Sequence, residues 1–220
     1  KGRKLPESWT IDFHALTFEI RPTSFGHLGL FPEHSIIWNW MDSVSLSAES
    51  EVLNLFAYTG GMTLSAAQAG LNVCHLDAAK GAVQWARKNA ELSGLSERPI
   101  RWIIDDVTKF MQRELKRGRR YDGLVMDPPS FGRGAKGEVF KIERDLPELL
   151  DLAKRVLTPS PRFVVLTCHS PGFTPIVLGN LVRAMMSEHG GTTEIQELYI
   201  EDGQSRHLPS GACAIWTSGN

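Results

Sequence analysis

The chain has 220 residues, 42% hydrophobic and 22% charged, enough for one substantial core of ordinary domain size. Its formal net charge is −1 and its pI about 6.7, which excludes the overall basic excess of a sequence-independent nucleic-acid binder, so any nucleic-acid contact must be local. No apolar run approaches the roughly 20 residues that span a bilayer, and Cys74, Cys168 and Cys213 are too far apart for a zinc ribbon; a cytoplasmic, reduced protein without a metal is expected.

The sequence opens at Lys1 without a methionine, and an upstream segment is expected. Residues 52–56 form a short apolar run that ends in the glycine-rich AYTGG, and the pattern over residues 63–69 predicts a helix closed by Gly70. Residues 72–77 read as a second strand. A helix over about 79–92 follows, with Ala82, Val83, Ala86 and Ala90 on one face and Gly94 past its end. Residues 100–105 are a third strand, and a helix runs through Phe110, Met111 and Leu115.

The fourth strand begins the segment GLVMDPPSFG, residues 123–132. Neither Pro128 nor Pro129 has an N–H to donate, so pairing stops there and the carbonyls of Asp127 and Pro128 are expected to point outward. A long helix with Leu146, Leu149, Leu150, Ala153, Val156 and Leu157 at helical spacing ends before Pro159 and Pro161. Residues 163–167 are a fifth strand. Thr174 and Pro175 are a hydroxyl cap and a first-turn proline, opening a helix through Ile176, Val177, Leu181 and Met185. Two last strands, 193–201 and 212–218, flank DGQSRHLPSG as a hairpin.

Five strand–helix alternations imply right-handed crossovers and a mostly parallel α/β sheet covered on both faces, with the closing hairpin adding an antiparallel strand. Ligands of such sheets sit beyond the carboxyl ends of the strands, where the strand order reverses. FAYTGGMT is not G-x-G-x-x-G and does not build the pyrophosphate turn of a dinucleotide site, which argues against a nicotinamide oxidoreductase. Asp77 and Asp106 each follow a strand, where a carboxylate either caps the next helix or binds a nucleoside. Together with the paired glycines they describe a nucleoside pocket. Two basic stretches, residues 113–120 and 133–144, read either as solvated surface or as local RNA contacts.

VLNLFAYTGGMTLSAAQAG, HLD, IIDDV and VMDPPSFGRG, in this order, resemble class I S-adenosylmethionine-dependent methyltransferases, with the strongest likeness to the bacterial 23S ribosomal RNA large-subunit family that includes 5-methylcytosine enzymes. The likeness runs from about Phe25 to the end, through GHLGLFPEH and LPSGACAIW. It implies a Rossmann-like seven-stranded sheet with an antiparallel last strand, S-adenosyl-L-methionine as cofactor and ribosomal RNA as partner. It also implies roles for residues. Phe56, Tyr58, Gly60, Gly61 and Asp127 would surround the methionine end of the cofactor, Asp77 the ribose, and Asp106 and Val107 the adenine. Phe31, Pro32, Glu33 and His34 would close over the site, making residues 1–50 a covering extension and residues 51–220 the cofactor-binding domain. Members commonly carry an additional N-terminal RNA-binding domain, for which residues 1–50 leave no room.

Beside a sulfonium methyl, Asp127 with the carbonyls of the Pro128–Pro129 turn offers acceptors to a planar, amino-bearing ring such as cytosine or adenine. Amino-methylating enzymes usually place an aromatic directly after the prolines. Here that position is Ser130, with Phe131 one step later as a stacking surface. Carbon methylation of cytosine at C5 needs a thiolate at C6, and Cys168 in LTCHSPG follows the fifth strand as a cysteine does in the 5-methylcytosine enzymes. On that reading Cys168 is the nucleophile, Asp127 holds the base edge and His169 aids the thiol or the RNA backbone; on the alternative Cys168 is a small buried apolar residue. Two further readings remain: an amino- or small-molecule methyltransferase with no covalent step, and a non-catalytic nucleotide-binding module.

Overall fold

The computed structural model describes residues 5–24, 26–44, 49–133 and 139–219. Phe25, from which the sequence reading takes the family likeness, and residues 134–138 of the second basic stretch lie outside the described residues.

The chain enters through a hairpin that sequence patterning did not single out, β1 (Trp9–Phe13) and β2 (Leu16–Ile20), paired antiparallel from Trp9↔Ile20 to Phe13↔Leu16. Leu16, Phe18 and Ile20 alternate inward, the period-2 signature of a half-buried strand. A 3-10 turn, Pro32–His34, leads into α1 (Ser35–Ser43). The repeating units then follow: β3 (Glu51–Leu55), α2 (Gly61–Gln68), β4 (Asn72–Asp77), α3 (Lys80–Leu92), β5 (Ile100–Ile104), α4 (Val107–Lys116) and β6 (Gly123–Met126). A small hairpin, β7 (Phe131–Arg133) and β8 (Val139–Lys141), precedes α5 (Ile142–Arg155), β9 (Phe163–Cys168), α6 (Pro175–Met185), β10 (Thr192–Glu201) and β11 (His207–Thr217).

The seven-stranded sheet has the order β10-β11-β9-β6-β3-β4-β5. β9, β6, β3, β4 and β5 are parallel, and β11 runs antiparallel to both its neighbours, as the closing hairpin predicts. The 202–211 connection is shorter than the spacing implied, because His207 to Gly211 also pair with β10. The expected strand began at residue 212, whereas pairing begins at His207 and passes Pro209, which lacks an N–H and lies opposite Tyr199 beside a bulge.

Strand alternation divides the core into two layers. Leu53, Leu55, Leu124, Met126, Val164 and Leu166 meet α4, α5 and α6, while Val52, Val125, Phe163 and Val165 meet α1, α2 and the β1–β2 hairpin. On α5, Ile142, Leu146, Leu149, Leu150 and Ala153 fall on one buried face. Each such leucine contributes about 1.5–3 kcal/mol by leaving water. No described helix is long and apolar enough to cross a membrane.

Candidate active site

Strand order reverses between β3 and β6, which opens a crevice at their carboxyl ends. After β3 the backbone enters the left-handed region at Phe56 (φ 57°), Tyr58 (φ 47°) and Gly60 (φ 90°). For Phe and Tyr this costs energy, and the surrounding contacts must hold it. The Tyr58 N–H donates to Asp77 Oδ2 at 2.9 Å, and the Ala57 N–H donates to the Leu76 carbonyl at 3.1 Å. The glycines permit close approach: a Cβ on Gly60 would lie 3.0 Å from Ala86 Cβ, and one on Gly61 would lie 2.9 Å from the Trp38 ring.

Asp77 also accepts the Ala79 N–H at 2.8 Å, so its carboxylate ties the β3 turn to β4. Burial pushes this carboxyl up, opposed by the two N–H donors. Of the two roles open to Asp106, the structure shows the cap: its Oδ1 accepts the Lys109 N–H at 2.9 Å at the start of α4. Val107 turns its side chain into the core.

Trp38, Asn54, Phe31, His34, Tyr58 and Asp127 are among the residues that line a cleft of about 380 Å³ including its open mouth. Asn54 Nδ2 donates to Thr63 Oγ1 (2.8 Å), leaving the Thr63 hydroxyl hydrogen for His75 Nδ1 (2.8 Å). His75 is fully buried, and burial lowers its pKa to about 3. Among the described residues, two buried side-chain polar atoms lack a hydrogen-bond partner, Trp38 Nε1 and His75 Nε2. Such groups are costly to leave unpaired, and Trp38 is one of the residues lining the cleft.

At the end of β6, Asp127 Oδ1 accepts the Thr167 hydroxyl at 2.6 Å. His34 Nε2 lies 3.7 Å from Asp127 Oδ2, His169 Nε2 lies 3.6 Å from Asp127 Oδ1, and the two Nε2 atoms are 3.2 Å apart. Burial lowers the His34 pKa, with Asp127 opposing. Glu33 Oε1 is 3.7 Å from His169 Nδ1, so the covering turn that Pro32 opens reaches the sheet edge. The Phe31 ring stands 5.6 Å from Tyr58, 5.6 Å from His169 and 5.7 Å from His34. Pro128 is buried, Pro129 exposed, and Phe131 is 49% exposed on β7. Ser130 Oγ contacts Ser170 Oγ at 2.5 Å, joining the turns after β6 and β9.

Cys168 stands apart from this group. Thr167 and Cys168 are adjacent in β9 and face opposite sides. Thr167 meets Asp127, whereas Cys168 follows Val164 and Leu166 into the core and is 1% exposed. Its Sγ accepts the Ser170 N–H at 3.3 Å; burial pushes the thiol up, and Ser170 opposes the shift. In the first of the two basic stretches three arginines form ion pairs: Arg113 with Asp105, Arg117 with Glu114, and Arg119 with Glu51. The strand-end segment from Thr167 to Ser170 stands out in the sequence, but its pairing with Asp127 and Ser130, 40 positions away, does not, and nothing in the sequence singles out Trp38.

Residues 2–177 match the family described as S-adenosylmethionine-dependent methyltransferase. The chain is 32% identical over 160 residues to ribosomal RNA large subunit methyltransferase K of Neisseria meningitidis serogroup B, covering 71% of this chain and 44% of that protein. It is 34% identical over 122 residues to ribosomal RNA large subunit methyltransferase I of Klebsiella pneumoniae, covering 55% and 30% respectively. The chain thus spans less than half the length of these relatives. Its fold superposes on a crystal structure of a SAM dependent methyltransferase from Agrobacterium tumefaciens with a TM-score of 0.91 and 38% identity, covering 98% of this chain and 72% of that one.

Proposed function

The chain belongs to the S-adenosylmethionine-dependent methyltransferase family, and on that premise we propose that it transfers the methyl group of S-adenosylmethionine to a base of ribosomal RNA. The observation that carries the reading is Asp127, set at the strand-order switch in the same cleft as Trp38, Tyr58 and Gly61. The cofactor, when bound, supplies an electrophilic methyl group on a sulfonium. Trp38 Nε1 and the 56–61 turn would hold its amino-acid end and Asp77 its ribose, with the Val107 backbone beside the adenine.

The remaining chemistry belongs to this chain's residues. Asp127, oriented by Thr167, accepts from the amino edge of the acceptor base and fixes its angle. Phe31 offers a ring beside Asp127 where Ser130 has none, and Phe131 adds an exposed one, so an extruded base has surfaces on which to stack.

Two routes use this arrangement. Methylation at cytosine C5 through a Cys168 adduct is the finer reading that the family likeness implies, and it requires the thiol to leave the core. Direct transfer to a nitrogen of the base requires no such movement, and the burial of Cys168 favours it. The discriminating variant is Cys168→Ala. On the direct route, methyl transfer to ribosomal RNA stays within about twofold of wild type, whereas Asp127→Ala lowers it by roughly 10²-fold or more with cofactor affinity retained. A fall of roughly 10⁴-fold in Cys168→Ala, with cofactor binding intact, would instead establish the covalent route.

A further inference from the structure

His34 and His169 are 135 positions apart in the chain, yet their Nε2 atoms face each other across 3.2 Å with the Asp127 carboxylate alongside. We propose that His34 Nε2, His169 Nε2 and Asp127 form a binding site for a divalent transition-metal ion of the zinc type at the mouth of the cleft. The site goes beyond the methyl-transfer reading and does not depend on it.

The orientation of His169 is the first argument. Its Nδ1 lies 2.7 Å from the Ser210 carbonyl, which can only accept, so Nδ1 carries the hydrogen and the Nε2 lone pair points at His34 and Asp127. The distances are the second. With zinc–nitrogen bonds of 2.0–2.1 Å, ligand atoms around a tetrahedral ion stand about 3.3–3.4 Å from one another. The observed separations, 3.2 Å between the two Nε2 atoms, 3.6 Å from His169 Nε2 to Asp127 Oδ1 and 3.7 Å from His34 Nε2 to Asp127 Oδ2, lie near that value, each histidine facing its own oxygen of the carboxylate. A proton shared between the two rings accounts for the 3.2 Å contact alone, because 3.6 and 3.7 Å are too long for hydrogen bonds to the carboxylate. A central ion accounts for all three.

The surroundings are the third argument. Metal-bound histidines characteristically donate their second N–H to a carbonyl or carboxylate, and metal-bound carboxylates are themselves hydrogen-bonded. The Ser210 carbonyl and the Thr167 hydroxyl fill these two places. Two imidazole nitrogens and one carboxylate from three separate elements leave further coordination positions toward the cleft, the pattern of an open zinc-type site rather than a closed structural one. Glu33, 3.7 Å from His169 Nδ1, adds negative charge close by. One consequence is competition: an ion on Asp127 and the amino edge of a base call on the same carboxylate.

The test reads ion binding directly and needs no methyl transfer. The full chain, stripped with chelator, is titrated with Zn²⁺ by calorimetry and with Co²⁺ by visible absorption. One ion per chain is expected, with an intense Co²⁺ spectrum of four- or five-coordination. His34→Gln and His169→Gln should each weaken binding by at least about 100-fold, and Thr167→Val by about tenfold, while His14→Ala and His189→Ala leave it unchanged. Absence of stoichiometric binding, or equal binding by wild type and both glutamine variants, overturns the proposal. Should a glutamine variant fail to fold, the wild-type spectrum decides: a weak, octahedral, water-like Co²⁺ spectrum overturns it as well. A negative result leaves the methyl-transfer reading standing, since that reading is measured on RNA.

Discussion

Trp38 shows how much rests on single atoms. Its ring packs against Gly61, in the turn that carries the cleft, and its Nε1 is buried there with no partner among the described residues. Trp38→Phe keeps an apolar ring and removes only the N–H. If that N–H holds the cofactor's carboxylate, affinity for S-adenosylmethionine falls by about 1–2 kcal/mol, roughly five- to thirtyfold, with little change in the unfolding midpoint of the ligand-free protein. Unchanged affinity by calorimetry would detach Trp38 from cofactor binding. The contrast between Thr167 and Cys168 is of the same kind. One step along a strand decides which of two adjacent side chains meets Asp127 and which enters the core.

At the scale of elements, α4 is anchored by a buried carboxylate. Glu114 is 0% exposed and receives Arg101 Nη1 at 2.7 Å, the Tyr121 hydroxyl at 2.6 Å and Arg117 Nη1 at 3.1 Å. Burial alone would raise its pKa, but these donors outweigh it and hold the carboxyl at about 2. Glu114→Ala leaves the Tyr121 hydroxyl and two guanidinium groups without their acceptor, and urea unfolding should show a loss of about 3–5 kcal/mol. A loss below 1 kcal/mol would mean that α4 is held by its apolar face alone. The charge run RELKRGRR therefore reads differently once folded: several of its arginines hold α4 to its neighbours. Its role was illegible because the partners Glu51, Arg101 and Asp105 lie outside the run. By contrast, the five strand–helix units were legible, since each strand is a short, mostly apolar run followed closely by glycine, proline or aspartate. The β1–β2 hairpin was not, although Leu16, Phe18 and Ile20 alternate; five residues of alternation are weak evidence until a partner covers them. In the site, the strand-end positions of Asp77 and Asp127 were readable, while the convergence of His34 and His169 depends on the covering turn folding back across the sheet.

The molecule as a whole should lose stability as it is acidified, from two groups whose windows overlap between about pH 4.5 and 3. His75 is neutral in the folded state down to about pH 3, whereas unfolded it binds a proton near 6.5; stability therefore declines as pH falls from 6.5 toward 3, by about 1.4 kcal/mol per unit at most. Glu114 has its folded pKa depressed to about 2 from 4.5, so its contribution is complete above 4.5 and disappears as pH falls toward 2. His75→Gln should flatten the decline between pH 6.5 and 4.5 in urea titrations, and an unaltered slope would exclude His75 as its source. Function is also a whole-molecule property, because the cleft is lined by the N-terminal segment, the β3 turn and the end of β6 together. The most direct measurement is transfer of tritiated methyl from S-adenosylmethionine to unmodified ribosomal RNA, followed by digestion and nucleoside analysis. A single labelled nucleoside, methylated on a base and lost in Asp127→Ala, is the predicted result. Protein that binds S-adenosylmethionine yet leaves ribosomal RNA unlabelled while methylating a small molecule would contradict it.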